Sequence, residues 1–547
     1  MPVKRLVYLI TFFIVTGLSA QQGAPRIVNI VNFIRAVEPR DAAITRDVLY
    51  QTVVEQIALM NQYGLGGSFL LQYDALIDPR YQQLLKALPR DRFEIGAWWE
   101  LPQPLVEKAG LKWRGRYPWD WHADVGFSTG YTPAEREKLI DVYMADFKAA
   151  FGYYPESVAS WFIDAHSLNY MYSKYHIVAS ANCKDQYGTD GYTLWGGYWN
   201  QAYYPSKKNA YMPAQYAASQ IPVPIFRMLG SDPVRQYDTG LEHARQGVIT
   251  LEPVYPEAGG DSTWIHWFLR ELDKGASMAF AYTQAGQENS FTWAAMEKGL
   301  RIQFPLIRKM RDEGKLRVET LAASGKWFRR NFKVTPPTSV TVDHDLPGSD
   351  KQTAWFNSRY YRVNLLWQNK TLRFRDIHLF DERLESEYEK KPVTSNECVF
   401  MTLPLVDGYL WSTRDFLAGL RLKGVVDGKI TELTGAVPVI SDKTKGLLTV
   451  DWPLENVKGK LKMVFSEDRL FISLEGNPTL KWFWEFEAAP GKQLPFVSVE
   501  AKKITAKSDN LAYTVVAEKG GFAPLEKGNG FSMYPVAHRI SIDFSKR

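Results

Sequence analysis

The chain has 547 residues, of which 45% are apolar, 23% charged and 14% aromatic, a balance that suits two or three globular domains and excludes low-complexity disorder. Its 66 basic and 60 acidic residues leave a formal charge of +6 without long basic runs, so nucleic-acid binding has no support. Cys183 and Cys398 lie too far apart in sequence for a legible disulfide framework or cysteine zinc motif.

The first element is a leader over residues 1–20. Lys4 and Arg5 precede the apolar run Leu6 to Val15, and Gly17-Leu18-Ser19-Ala20 supplies small residues before Gln21. This pattern predicts a secretory signal cleaved after Ala20 and a periplasmic or secreted protein. The alternative is an uncleaved N-terminal anchor, for which the apolar run is short against the roughly 20 residues of a spanning helix. No later stretch is apolar enough to predict a membrane span.

From residue 21 to 332, apolar β-branched runs alternate with helical patterns. Ile27 to Phe33 reads as a strand buried on both faces. Asp47 to Tyr63 has helical spacing and stops at Gly64. Gly67 to Leu71 and Phe93 to Ala97 are the next strands. Thr132-Pro133-Ala134-Glu135 is a capping box with proline at the first helical position, and its helix runs to Gly152. Val158 to Ile163, Val178 to Ala181, Val223 to Met228, Val248 to Leu251 and Met278 to Tyr282 are further strand candidates. The alternation predicts a parallel sheet closed as a β/α barrel of seven strands. Residues 333–349, opened by Lys333-Val334-Thr335-Pro336-Pro337, read as a linker. From 350 to 547 the pattern changes to period two, as in Trp482-Phe483-Trp484-Glu485-Phe486-Glu487, and predicts an antiparallel β-sandwich of accessory role.

Four segments carry a resemblance. Ile30-Val31-Asn32-Phe33, Tyr63 to Leu70, Phe93-Glu94-Ile95-Gly96-Ala97-Trp98 and Phe151-Gly152-Tyr153-Tyr154-Pro155-Glu156 are similar, in order and texture, to the first strands of the barrel shared by polysaccharide deacetylases and related glycoside hydrolases. The resemblance implies that scaffold. Deacetylases of this type hold zinc with an aspartate after strand one and a histidine pair after strand three. Here those places offer Asn32 and Arg35, then Trp98-Trp99-Glu100-Leu101-Pro102, so the deacetylase ligands are missing. The hydrolase branch, which works through paired carboxylates without a metal, is compatible with what remains, and no metal or cofactor is expected.

In a β/α barrel the chemistry sits at the carboxyl ends of the strands. Those ends supply Asn32, Arg35 and Glu38, then Gln72 and Asp74, then Trp98, Trp99 and Glu100, and later Asp164, His166, Asp185, Gln186, Asp190, Tyr192, Arg227, Glu252, Glu257 and Glu288. Acids, amides and indoles together suit sugar hydrolysis, in which one carboxylic acid protonates the leaving oxygen and a second carboxylate attacks or activates water. Glu100 is the first catalytic candidate, since two tryptophans would desolvate it; the alternative is a Glu tied to an arginine. Asp164, closing an apolar run, is the second; the alternative is a helix N-cap. Asp190 lies in the polar, glycine-bearing segment Asp185 to Tyr192, which suits close approach to a sugar. Trp119, Asp120, His122, Trp195 and Trp199 fall in stretches without periodicity and join Arg35, Trp98, Trp99, His166, Asp185, Gln186, Tyr192, Glu252 and Glu288 as expected substrate contacts. Asp120-x-His122 and Asp164-x-His166 were they to converge would offer a metal site, though nothing in their spacing compels it.

The expected function is an exported glycoside hydrolase acting on a poly- or oligosaccharide. Two other readings stay open: a catalytically silent glycan-binding protein, and a metal-dependent carbohydrate esterase or deacetylase.

Overall fold

The computed structural model describes residues 24–508 and 511–546; the leader read over residues 1–20 lies outside them. The first strand, β1 (Arg26–Ile34), is buried from Ile27 onward because the sheet is covered on both faces. It is followed in parallel by β2 (Gly67–Leu71), β3 (Phe93–Trp98), β4 (Ser157–Ala159) and β5 (Ala179–Asn182). The strand Ile225–Arg227 continues the parallel order beyond β5 and carries the antiparallel edge strand Ala202–Tyr203. On the other side of β1 lie two more parallel strands, Ala281–Ala285 and Arg317–Glu319.

The barrel-like sheet is therefore nearly closed and has nine strands, eight of them parallel, not the seven expected. The extra parallel strand is Arg317–Glu319, too short to show a period in sequence. Val248 to Leu251 is not a strand of this sheet: it contributes only the bridge between Thr250 and Ser231. The helix signals match more closely. Thr132 and Glu135 form both hydrogen bonds of the capping box, and the helix Pro133–Phe151 ends on Gly152 with φ +84°. Only a residue tolerant of that left-handed backbone stops the helix there without strain.

Beyond the barrel, the chain forms a ten-stranded and an eight-stranded antiparallel sheet that share one apolar core. Trp482–Glu487 alternates buried and partly exposed residues, as its period-two pattern requires. The segment expected as a linker carries the strand Thr338–Val342, which pairs with Gln352–Asn357 in the ten-stranded sheet.

The two regions interlock. Trp199 of the barrel stacks on Trp355 with ring centroids 3.8 Å apart. Asp185 accepts from Arg227 at 2.7 Å and from Arg362 at 2.5 Å, and Arg362 also pairs with Asp376. The strand Cys398–Met401 runs parallel to Tyr192–Trp195, which is itself paired to Gln186–Thr189, making a small three-stranded sheet from both regions.

Candidate active site

The carboxyl ends of the barrel strands surround a cleft of about 360 Å³. Glu38 and Arg40 follow β1, Trp161 follows β4, and Lys184 and Gln186 follow β5. Asp190 and Tyr192 come from the hairpin after β5, while Glu252, Tyr255, Glu288 and Ser290 come from later loops. A second hollow of about 530 Å³ lies at the opposite end of the barrel. Among its charges, Lys326 pairs with Glu156. Reactive groups in such barrels gather at the carboxyl end, and the first cleft is the one that does so here.

Glu100 does not open into that cleft. It is fully buried, and both its oxygens are filled: Arg35 donates from Nε at 3.0 Å and from Nη2 at 2.8 Å, and the Gln72 amide donates at 2.6 Å. Arg35 also pairs with Glu288 at 2.8 Å and lies 4.1 Å above the Trp119 ring. Glu100 is thus a counter-ion bordering a narrow recess, and the expectation of a poised acid is corrected in favour of the arginine-tied alternative.

Asp164 is corrected likewise. It caps the helix Ala165–Tyr175, accepting from the Ser167 amide at 2.8 Å and the Ser167 hydroxyl at 2.7 Å. Ser128 Oγ and Arg136 Nη1 complete its shell at 2.5 and 2.9 Å. Burial opposes its ionisation, but the Arg136 charge and these donors outweigh it and hold the carboxyl below the usual range.

The pairs Asp120/His122 and Asp164/His166, open only as an alternative metal site, are engaged elsewhere. Asp120 is bound by the Arg116 guanidinium, and His166 Nε2 lies 3.0 Å from Glu137. His122 is half-buried against Trp121. Among the described residues, no set of three or more His, Cys, Asp or Glu side chains is arranged to hold a metal ion.

The tryptophans divide sharply. Trp98 stacks on Phe33 at 4.0 Å, Trp99 packs edge-on to Tyr143, and both are fully buried. Trp195 donates to Asp407 at 2.8 Å, and Trp199 is sealed against Trp355. Trp119 is covered by Arg35 and Arg40. Trp98, Trp99, Trp195 and Trp199 have core partners that the sequence did not reveal, so they are corrected from sugar contacts to packing groups; Trp119 borders the recess beside Glu100. Asp185 is also corrected, since its oxygens serve Tyr211, Arg227, Arg362 and the Gly196 amide. Trp161, Tyr255 and Phe291, all half-buried, line the cleft together with the buried Tyr192.

Besides Glu38, which is paired with Arg40, and the exposed Asp41, three carboxylates line the cleft. Glu252 is buried and takes only neutral donors, Thr250 Oγ1 at 2.7 Å and Gln287 Nε2 at 3.1 Å. Burial raises its pKa, those donors and the nearby Lys184 charge lower it, and the charge of Asp190 raises it; the net direction is up. Glu288 is also pushed up by burial, against the opposing pull of Arg35 and of Ser290, whose hydroxyl donates at 2.7 Å. Asp190 is exposed at the tip of the hairpin. Its φ of +52° and the +80° of Gly191 are the paired left-handed conformations of a type I′ turn, for which Asp-Gly is a favoured sequence. The reading of strand ends singled out Gln186, Asp190, Tyr192, Glu252 and Glu288, which the fold brings together. It missed Lys184, whose place directly after β5 was the available signal, and Tyr255, which had none.

Residues 125–331, which carry Trp161, Lys184, Asp190, Glu252 and Glu288, match a family described as a domain of unknown function with a solved structure, DUF3863. No curated protein matches the chain. Among solved structures the fold is similar to that of a candidate glycoside hydrolase/deacetylase from Parabacteroides distasonis, at 14% identity and TM-score 0.50, over 70% of this chain and 90% of that one. A candidate polysaccharide deacetylase from Mycobacterium smegmatis matches at 12% identity and TM-score 0.37, over 58% of this chain and 95% of that one. At 14% identity, the first likeness extends to the fold alone.

Proposed function

We propose that the protein is an exported glycoside hydrolase, with its reaction centre in the cleft that joins Trp161, Asp190, Glu252 and Glu288. The observation that carries this reading is the contrast between two neighbouring carboxylates. Glu252 is buried, held by neutral donors and biased toward its protonated form, as a general acid must be. Asp190 is exposed in the same cleft and near enough for its charge to act on Glu252. A buried carboxyl beside a solvent-exposed one is the usual arrangement for assigning acid and base or nucleophile. In this reading Glu252 protonates the glycosidic oxygen, and Asp190 attacks the anomeric carbon or activates water. Glu288, anchored by Arg35, steadies positive charge developing on the sugar ring, and Trp161 and Tyr255 form the apolar walls.

The fold shared with a candidate glycoside hydrolase/deacetylase is consistent with a carbohydrate substrate. Export rests on the leader sequence, and sequencing the mature N-terminus tests it: the chain should begin at Gln21. Among the described residues no helix is long and apolar enough to cross a membrane. The activity is tested by incubating the protein and its Glu252→Gln variant with a panel of poly- and oligosaccharides and following new reducing ends. The wild type should cleave one class, and the variant should lose roughly 10²–10⁴-fold in kcat while keeping its unfolding midpoint. Binding without cleavage by the wild type would favour a silent glycan-binding protein instead.

A further inference from the structure

Seven cationic side chains are buried among the described residues: Arg35, Arg136, Lys184, Arg227, Arg362, Arg373 and Arg375. Six of them have a carboxylate oxygen within 3.1 Å. That is the expected state, because a buried charge without a partner is costly. Lys184 is the exception. It is 1% exposed, and its one hydrogen bond runs from Nζ to the Asp185 carbonyl oxygen at 3.2 Å. An ammonium has three N–H donors, so two are left without protein acceptors. The neighbouring Asp185 carboxylate cannot serve, since it is already committed to Arg227, Arg362 and Tyr211. The Glu252 carboxylate takes its hydrogen bonds from Thr250 and Gln287; its charge acts on Lys184 from beyond ion-pair distance and only partly offsets the burial that lowers the Lys184 pKa.

Lys184 also lies on the wall of the cleft, beside Gln186, Asp190 and Glu252. With no carboxylate within ion-pair distance, its ammonium has donors to spare for a ligand seated in this cleft. The other cation on that wall, Arg40, is neutralised by Glu38 at 2.6 Å. We infer that the sugar unit taken in this cleft carries an anionic substituent, a carboxylate or a sulfate ester, which Lys184 receives. The inference rests on the carbohydrate reading of the cleft and deepens it to acidic glycans. A compact ammonium on a flexible stem suits a single anionic oxygen better than a bidentate fork would.

The experiment compares matched ligands by calorimetric titration and by turnover. One pair is a uronate-bearing oligosaccharide and its carboxyl-reduced counterpart; the other is a sulfated oligosaccharide and its desulfated form. The wild type should prefer the acidic member of one pair by roughly tenfold to a hundredfold, the worth of a charge-assisted hydrogen bond. Which pair shows the preference identifies the anion. In Lys184→Gln and Lys184→Met the preference should fall to about threefold or less. Lys184→Met, which removes a buried unpaired charge, should unfold no earlier than the wild type and guards against a folding defect in the amide variant. Equal affinity of the wild type for both members of both pairs would overturn the inference, as would a preference that survives in the two variants. The two readings fail separately. A Lys184-dependent preference in binding without any cleavage would sink the hydrolase reading and leave this one standing. Cleavage of neutral and acidic members alike would do the opposite.

Discussion

Asp164→Asn separates a structural carboxylate from a catalytic one, and the structure gives the size of the effect. The Asp164 carboxylate is fully buried and receives four donors, one of them the equally buried Arg136 guanidinium at 2.9 Å. The other contacts of Arg136 are the carbonyl oxygens of Tyr131 and Tyr388, which carry no net charge. Asparagine is as good an N-cap as aspartate, so the cap itself should be largely kept. The ion pair is what goes, and breaking a buried pair from one side costs about 3–5 kcal/mol because the surviving charge stays buried. Against a typical total stability of about 5–15 kcal/mol, this is a large share. Urea unfolding should show the midpoint moving down with an unchanged slope, and turnover per folded molecule should stay within about threefold of wild type. A cycle with Arg136→Met should be strongly non-additive, since each change alone orphans the other partner. A variant that keeps its midpoint but loses a hundredfold or more in kcat would refute the structural assignment and return Asp164 to the reaction centre.

Three further outcomes follow from the same geometry. If Glu252 must be protonated to act, kcat/KM should fall as pH rises through its burial-raised pKa, and that basic limb should vanish from the residual activity of Glu252→Gln. Trp161→Ala should raise KM with kcat little changed, whereas Trp199→Ala, which opens the stack on Trp355, should cost about 3–5 kcal/mol of stability in chemical unfolding and only secondarily affect KM. Asp74 is pushed up to about 7 by burial, which outweighs the amides of Ala36 and Ala75 that it accepts. Because its folded pKa is raised, the folded state holds a proton that the unfolded chain releases near pH 4; its stability contribution is present below that value and lost as pH rises toward 7, at up to about 1.4 kcal/mol per pH unit. Unfolding midpoints measured from pH 4.5 to 7.5 should show this decline, and Asp74→Asn should flatten it.

The barrel strands were legible because burial on both faces leaves an unbroken apolar run, as in Ile27 to Phe33, and the helix starts because Thr132 and Glu135 act within four residues of each other. Arg317–Glu319 was not legible: three residues have no period, and only the register with β1 makes them a strand. The same division holds at the site. A strand end is a local property, so Glu252, Glu288, Asp190 and Gln186 could be named. Whether an acid at such an end is free or spent depends on partners far along the chain. Glu100 is spent on an arginine 65 residues earlier, and Asp164 on one 28 residues earlier, with Ser128 36 residues away. Nothing local distinguishes them from Glu252. The loop tryptophans failed for a related reason: Trp199 packs on Trp355, across the boundary between the two regions.

That boundary bears on the expectation of an accessory C-terminal region. The hairpin that presents Asp190 consists of Gln186–Thr189 and Tyr192–Trp195, and a two-stranded hairpin alone is marginal in water. Its third strand, Cys398–Met401, comes from the C-terminal region, and the Cys398 amide donates to Gly191 O beside the turn. Glu389 receives the amides of Ala165 and His166, both at 2.8 Å, and the Asn396 carbonyl receives that of Ala123. Burial and the charge of Asp164 push Glu389 up to about 8, so this contact is formed by a carboxyl biased toward its neutral state. A fragment ending at residue 332 would lose these contacts together with the Arg362 partner of Asp185, leaving the Asp185 carboxylate with Arg227 as its only ion pair. Such a fragment should fail to fold or should lose turnover by at least a hundredfold. A full-length chain cleaved at the exposed turn Asp427-Gly428, where no barrel contact is cut, should retain most of its activity. If the fragment matched the full chain in kcat and KM, the hairpin would hold Asp190 without help from the C-terminal region, and the interlock would have no part in forming the site.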